Sequence, residues 1–143
     1  MKFEFSAGGI VYKKENGKNL ILVAQHSQHH GWVFPKGLIG DHKDGESKED
    51  TALREVEEET GIKAKILKPL TPVTYWYIWE NDKRKKTVYY FLMEFLKDTK
   101  KRDLEMENVE WLPTDAVEER LTYKTDKTVW QEARSLIQLN PNF

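Results

Sequence analysis

Three carboxylates, Glu55, Glu58 and Glu59, crowd into five consecutive positions of the run Arg54-Glu55-Val56-Glu57-Glu58-Glu59-Thr60-Gly61-Ile62. At about 100° per residue they share one sector of a helix about 100° wide, while Glu57 points away. Ala52, Leu53 and Val56 form an adjoining apolar stripe. Like charges three and four residues apart repel, and crowded carboxylates raise one another's pKa. No lysine stands between them, so a divalent cation held among the three is the simplest explanation. All-oxygen donors favour Mg²⁺ or Mn²⁺ over zinc. On the three glutamates alone, a solvated acidic helix face competes with that reading.

The helix is signalled at both ends. Neither Gly nor Pro interrupts residues 47–60. Ser47 is an N-cap candidate, with Asp50 three residues later as in a capping box. Gly61 supplies the stop.

The spacing over a longer stretch decides between cation site and solvated face. Gly40, Glu46, Arg54-Glu55, Val56, Glu58-Glu59, Gly61 and Ile62 occupy every fixed position of the Nudix box. The chain therefore resembles the Nudix hydrolase family. Ser6-Ala7-Gly8-Gly9 and Trp32-Val33-Phe34-Pro35-Lys36-Gly37 also look like Nudix sequence.

The resemblance implies a mixed, curved sheet between helices, with the box as a loop–helix–loop on one side. It implies hydrolysis of a phosphoanhydride in a nucleoside diphosphate-linked substrate. Glu55, Glu58 and Glu59 are then the metal ligands, and Glu55 or Glu58 also accepts the proton of the attacking water. Arg54 orients Glu55 and pairs with Glu46. In many members the glycine of Pro-Lys-Gly opens the box and gives a backbone carbonyl to the metal. Here Gly37 lies three residues too early and Gly40 satisfies the spacing; either could serve, and Gly37 is preferred. An acid outside the box often completes the site. Among Glu94, Glu105, Glu107 and Glu110, Glu105 stands six residues before Trp111, as in the family, with Glu107 the second choice.

The box reports a reaction and leaves the substrate open. Lys86-Thr87-Val88-Tyr89-Tyr90, the aromatic residues 75–79 and Leu121-Thr122-Tyr123-Lys124 resemble segments of diadenosine tetraphosphate hydrolases. That resemblance implies a dinucleoside polyphosphate, split to ATP and AMP. A clean-up pyrophosphatase for modified nucleoside triphosphates is the alternative among enzymes. A non-catalytic nucleotide-binding regulatory module is the alternative of another class, and it would predict a broken glutamate set.

Composition sets the outer limits. The chain has 143 residues, 38% apolar, with a formal charge of −1 and no cysteine. One α+β domain over residues 1–143 with a real core is expected. Disulfides, thiolate catalysis and cysteine-based zinc sites are excluded. Near-zero charge does not favour nucleic acid or an anionic membrane. The N-terminus lacks the apolar core of a signal peptide, and a cytoplasmic location is expected.

Charge is nevertheless unevenly placed: residues 44–59 carry eight acids against Lys48 and Arg54, while Lys83-Arg84-Lys85-Lys86 is a solid basic run. Lys36, Arg84 and Lys86 are phosphate-binding candidates, unless the run is only a solvated hairpin edge. Tyr75, Tyr77, Tyr90 and Tyr123 are candidates to stack on a base, although strand aromatics also build cores. His26, His29 and His30 lack an acid at fixed spacing and read as a loop at the pocket rim.

The positioning elements follow from period and turn chemistry. Strands are expected at residues 3–12, 20–24, 32–34, 65–70, 87–96 and 108–112, with turns at Asn16-Gly17 and Asn81-Asp82. Gly8-Gly9 marks a close approach of another backbone or a ligand. A short helix is expected at 115–120, with Asp115 and Glu118 at capping-box spacing, and a second full helix at 126–139 on a Val129, Ala133, Leu136 and Ile137 stripe.

Overall fold

Alternation along two strands decides the architecture. The computed structural model describes residues 1–40 and 44–139. In it, β1 (Lys2–Glu15) and β7 (Asp82–Asp98) lie side by side in parallel within one mixed sheet. On β1, Ala7 and Val11 face one way while Ile10 and Tyr12 face the other. On β7, Phe91 and Met93 oppose Val88, Tyr90 and Leu92 in the same manner. A sheet apolar on both faces must be covered twice. Helix α1 (Lys48–Thr60) covers the first face with Ala52 and Val56. Helices α2 (Thr114–Arg120) and α3 (Lys124–Leu139) cover the second with Val117, Val129, Trp130, Ala133 and Ile137.

The other strands hang on this pair, all antiparallel to their partners. β2 (Lys18–His26) returns along β1 through Asn16-Gly17, whose φ angles of 53° and 77° suit a two-residue hairpin. β3 (Trp32–Val33) and β8 (Met106–Pro113) pair with β2, and β4 (Lys36–Leu38) pairs with β1. β5 (Ile62–Pro69) and β6 (Val73–Trp79) pair with β7. The class is α+β, a mixed sheet between helices, as expected. No described helix is long and apolar enough to cross a membrane.

Three differences from the sequence reading have physical causes. β4 was not anticipated, because Lys36-Gly37-Leu38 is too short to alternate; it is held by pairing with Ser6, Ala7 and Gly8. β7 begins at Asp82 rather than residue 87, since the basic run is paired residue by residue with Tyr75, Trp76, Tyr77 and Ile78. The intervening turn is Glu80-Asn81, both in the left-handed region at φ 51° and 63°. The expected capping box of α2 does not form. Pro113 is its N-cap, and no side chain caps the helix.

Gly8 and Gly9 are the close approach that the sequence signalled. A Cβ on Gly8 would lie 2.2 Å from the Pro35 carbonyl oxygen, and one on Gly9 would lie 2.5 Å from Met93 Sδ. The Gly9 N–H also donates to that Pro35 carbonyl at 3.1 Å. The backbone carrying Lys36 and Gly37 is thus seated directly on β1. Gly8→Ala is expected to force the two segments apart and to destabilise the protein by about 1–3 kcal/mol, the usual scale of overpacking. A thermal melt checks this, and an unchanged Tm would contradict the contact.

Candidate functional site

Helix α1 presents its acids reliably because both ends are fixed. Ser47 Oγ accepts the Asp50 N–H at 3.0 Å. Gly61, at φ 78°, turns the chain out, and its N–H donates to the Glu57 carbonyl at 2.8 Å. With Ala52 and Val56 buried against the sheet, Glu55, Glu58 and Glu59 line a cleft of about 660 Å³. Its other walls include His26, His29, Lys36, Gly37, Lys86, Asp103 and Glu105.

Arg54 is the centre of a charged network. Its Nε and Nη2 donate to the two oxygens of Glu46, each at 2.9 Å. Its Nη1 donates to Glu55 at 2.8 Å and to Glu58 at 3.1 Å. Thr51 Oγ1 adds a bond to Glu46 at 2.7 Å. The Arg54 guanidinium is the main reason that the Glu46 carboxyl is pulled down to about 2. The repulsion expected among the three glutamates is therefore relieved in part by Arg54, without any metal.

Glu59 receives no such relief. It is 0% exposed, and neither carboxyl oxygen has a hydrogen-bond partner. Burial first, then the neighbouring Glu55 carboxyl and the charge of Glu105, push it up to about 10. Glu55 meets it as another acceptor, so the two carboxylates cannot bond unless one takes a proton or a cation lies between them.

The loop glycines separate by geometry. A Cβ on Gly37 would lie 2.1 Å from the Glu55 carboxyl carbon, so only glycine lets β4 lie against that group. Gly40, at φ 78°, instead gives a backbone hydrogen bond to Glu46. Box residues 41–43 lie outside the described residues. Among the described residues no three acids or histidines already stand as a closed ligand cage. The residues nevertheless fit a hard divalent cation: the donors are all oxygen, one buried carboxylate is unpaired, and a bare backbone lies against another.

The cations face the acids. Lys36 and Lys86 line the cleft, and burial, followed by the charge of Lys36, lowers Lys86 to about 8. The basic run is not one patch. Arg84 and Lys86 face a pocket with Tyr75 and Tyr77, while Lys83 and Lys85 sit over the Trp76 ring at 4.7 and 5.5 Å.

Glu105 lines the cleft with His26 Nε2 3.4 Å away, whereas Glu107 is drawn off to His30. Glu94 and Glu110 do not line the cleft; Glu110 pairs with Arg120. The histidines form a rim and stack: the rings of His26 and His29 are 4.2 Å apart. Burial lowers the His29 pKa, with help from His26 and Lys36. Its Nδ1 meets the Tyr123 hydroxyl at 3.0 Å and accepts the Gly31 N–H at 3.0 Å.

The tyrosines divide. Tyr75 and Tyr123 line a side pocket of about 380 Å³ with Asp126 and Lys124. Tyr90 lines neither the cleft nor the side pocket and is not placed to stack on a base. It is 3% exposed, its ring packs edge-on to Phe34, and its hydroxyl donates to Asp126 Oδ1 at 3.1 Å. Sequence reasoning missed Asp103 and Asp126. An acid in the first turn of a helix reads as a dipole partner, and nothing local marks Asp126 as buried.

Comparison with known proteins gives the family and the fold. The NUDIX domain model matches residues 2–136. A putative mutator protein MutT4 of Mycobacterium tuberculosis is 36% identical over 141 residues, covering 94% of this chain. The chain spans 56% of that relative's length. The asymmetrical bis(5'-nucleosyl)-tetraphosphatase of Sus scrofa is 34% identical over 127 residues, covering 82% of this chain and 79% of that protein. Among solved structures, a Caenorhabditis elegans Ap4A hydrolase in a binary complex superposes with a TM-score of 0.73 at 22% identity. That match covers 94% of this chain and 98% of the other.

Glu59 generates a stability prediction. In chelator, the folded protein holds a proton on Glu59 up to about pH 10, whereas the unfolded chain releases it near 4.5. The folded state binds more protons between those values, so stability falls as pH rises across that window. Glu59→Gln, which takes up no proton on folding, is expected to raise the Tm in chelator at pH 8. It is also expected to flatten the pH slope. A lower Tm would contradict a carboxyl that must take up a proton to be buried there.

Proposed function

Because the chain belongs to the NUDIX domain family, we propose that it is a divalent-metal-dependent hydrolase of a phosphoanhydride in a nucleoside diphosphate-linked substrate, first among them a dinucleoside polyphosphate such as diadenosine tetraphosphate. The observation that carries the reading is charge opposition across one cleft: Glu55, Glu58, Glu59 and Glu105 stand against Lys36 and Lys86.

A polyphosphate repels a hydroxide, so catalysis must neutralise charge and generate a nucleophile near neutral pH. Glu55, Glu58, Glu59 and the Gly37 carbonyl would hold Mg²⁺ or Mn²⁺, which when bound would supply Lewis-acid polarisation and a water of lowered pKa. Arg54 orients Glu55 and Glu58 through its bonds at 2.8 and 3.1 Å. Lys36 and Lys86 neutralise non-bridging phosphate oxygens from the other wall. Glu55 or Glu58 accepts a proton from the attacking water, and Glu105, half-exposed in the same cleft, completes the acidic wall. The water oxygen bonds to phosphorus, the bridging P–O bond breaks, and the electron pair leaves with the nucleotide. Tyr75 and Tyr123 stack a base in the side pocket. Diadenosine tetraphosphate would yield ATP plus AMP.

A substrate panel with Mg²⁺ and with chelator tests this directly. ATP plus AMP from diadenosine tetraphosphate supports the first choice. A nucleoside monophosphate plus pyrophosphate from triphosphates favours clean-up of modified nucleotides instead. Tight nucleotide binding with no turnover favours a regulatory module. Glu58→Gln is expected to lose about 100-fold or more in kcat while remaining folded, and turnover like the wild type would remove the metal assignment.

Lys86 adds a pH signature. Its ammonium is present below about pH 8 and is lost as pH rises through that value. KM for the polyphosphate is expected to rise above that pH, and the rise to vanish in Lys86→Met. A pH-independent wild-type KM would take Lys86 out of phosphate binding.

A further inference from the structure

A second pocket adjoins the cleft on the far side of Lys86. It has a volume of about 410 Å³ and is lined by Glu4, Tyr75, Tyr77, Trp79, Arg84 and Lys86. Register explains the grouping. Glu4 lies beside Lys86 on the β1–β7 ladder, and Lys86 and Arg84 lie opposite Tyr75 and Tyr77 on the β7–β6 ladder. These side chains share one face of three adjacent strands.

The polar groups of this pocket are unfinished. Glu4 and Arg84 are only 13% and 18% exposed. Their closest approach is 3.7 Å, and Arg84 Nε is 3.8 Å from Asp82. Glu4 Oε1 and Arg84 Nε are buried without any hydrogen-bond partner. Buried polar groups are normally bonded. One carboxylate oxygen without a donor and one guanidinium N–H without a hydrogen-bond acceptor thus stand side by side next to aromatic rings, in groups held to each other only by a loose ion pair at 3.7 Å. A purine edge supplies both, an amino N–H next to a ring nitrogen or carbonyl, on a flat body that stacks on tyrosine.

We infer that Glu4, Arg84, Tyr77 and Trp79 form a second nucleoside subsite, which takes the purine of the far half of a dinucleoside polyphosphate whose phosphates cross Lys86. This rests on the hydrolase reading above and divides its substrate between two arms. One base lies with Tyr75 and Tyr123, and the other lies with Tyr77. Glu4 accepts from the far base, and Arg84 donates to it. Trp79, exposed at the hairpin tip, closes the outer wall.

The test compares diadenosine tetraphosphate with adenosine 5′-tetraphosphate, which has the same phosphates and one nucleoside. Tyr77→Ala is expected to raise KM for the dinucleotide about tenfold more than for the mononucleotide, the scale of one stacked base. Glu4→Gln is expected to shift the same ratio in the same direction. Equal effects on the two substrates, or none in either variant, would overturn the subsite. Calorimetry with methylene-bridged, non-hydrolysable forms of both ligands reads the subsite without turnover. Tighter dinucleotide binding that is lost in both variants supports it even if hydrolysis fails, and the absence of any dinucleotide preference in the wild type overturns it even if hydrolysis succeeds.

Discussion

The guanidinium of Arg54 holds the acidic cluster in shape. It bonds both oxygens of Glu46 on the incoming loop and one oxygen each of Glu55 and Glu58 on its own helix. Only a planar fork with donors in fixed directions can serve three carboxylates at once; a lysine ammonium would have to choose among them. The consequence reaches past local geometry. Glu46 anchors the loop, so the path that begins at Gly37 and the helix that carries the acids are tied by a single side chain. Because Arg54 already offsets Glu55 and Glu58, the cost of gathering acids here is concentrated on Glu59, buried and without a partner. A cation is needed most where Arg54 does not reach.

The sheet supplies the opposing wall by the same rule that builds the core. Along β7, alternation sends Val88, Tyr90 and Leu92 toward α3, and it continues outward past the helix to Lys86 and Arg84. Residues on the opposite parity, Lys83 and Lys85, are spent on the Trp76 ring instead. Four consecutive basic residues therefore become one cleft cation, Lys86, one cation of the adjoining pocket, Arg84, and two surface cations. Gly8 and Gly9 then let β4 and α1 approach β1 closely enough for Lys36 and Gly37 to meet the acids. Sheet period and two missing side chains set the width of the site.

Local chemistry made part of this legible in the sequence. Helix α1 could be read from Ser47 to Gly61 because its caps, its apolar stripe and its acids all lie within one unbroken stretch of about four turns. The Arg54–Glu46 pair and the place of Glu105 followed from spacing in a known motif. The choice between Gly37 and Gly40 did not, because spacing favours Gly40 while only the folded backbone brings Gly37 against Glu55. β4 was invisible since its pairing partner lies about thirty residues away in the chain. Tyr75, Tyr77 and Tyr90 look alike in sequence. What separates them is whether α3 lies over that part of the sheet, and no local pattern states this.

Tyr90 repays closer thought, because its burial gives it a part in the site from behind. Its hydroxyl donates to Asp126 at 3.1 Å, and the Phe34 N–H donates to the same carboxyl oxygen at 3.5 Å. One carboxylate thus ties the central strand β7, the segment just before Lys36 and the first turn of α3. Burial raises the Asp126 pKa, with Lys36 and these two donors pulling the other way. A side chain placed there for packing alone would be apolar, and an apolar residue would leave the Tyr90 hydroxyl and the Phe34 N–H without an acceptor. The arrangement makes sense as a brace. It fixes Lys36 relative to Tyr123 and the start of α3, so that the Lys36 wall of the cleft and the side pocket hold one spacing. The same carboxylate stands in that side pocket, where its placement is set by the core rather than by whatever ligand enters.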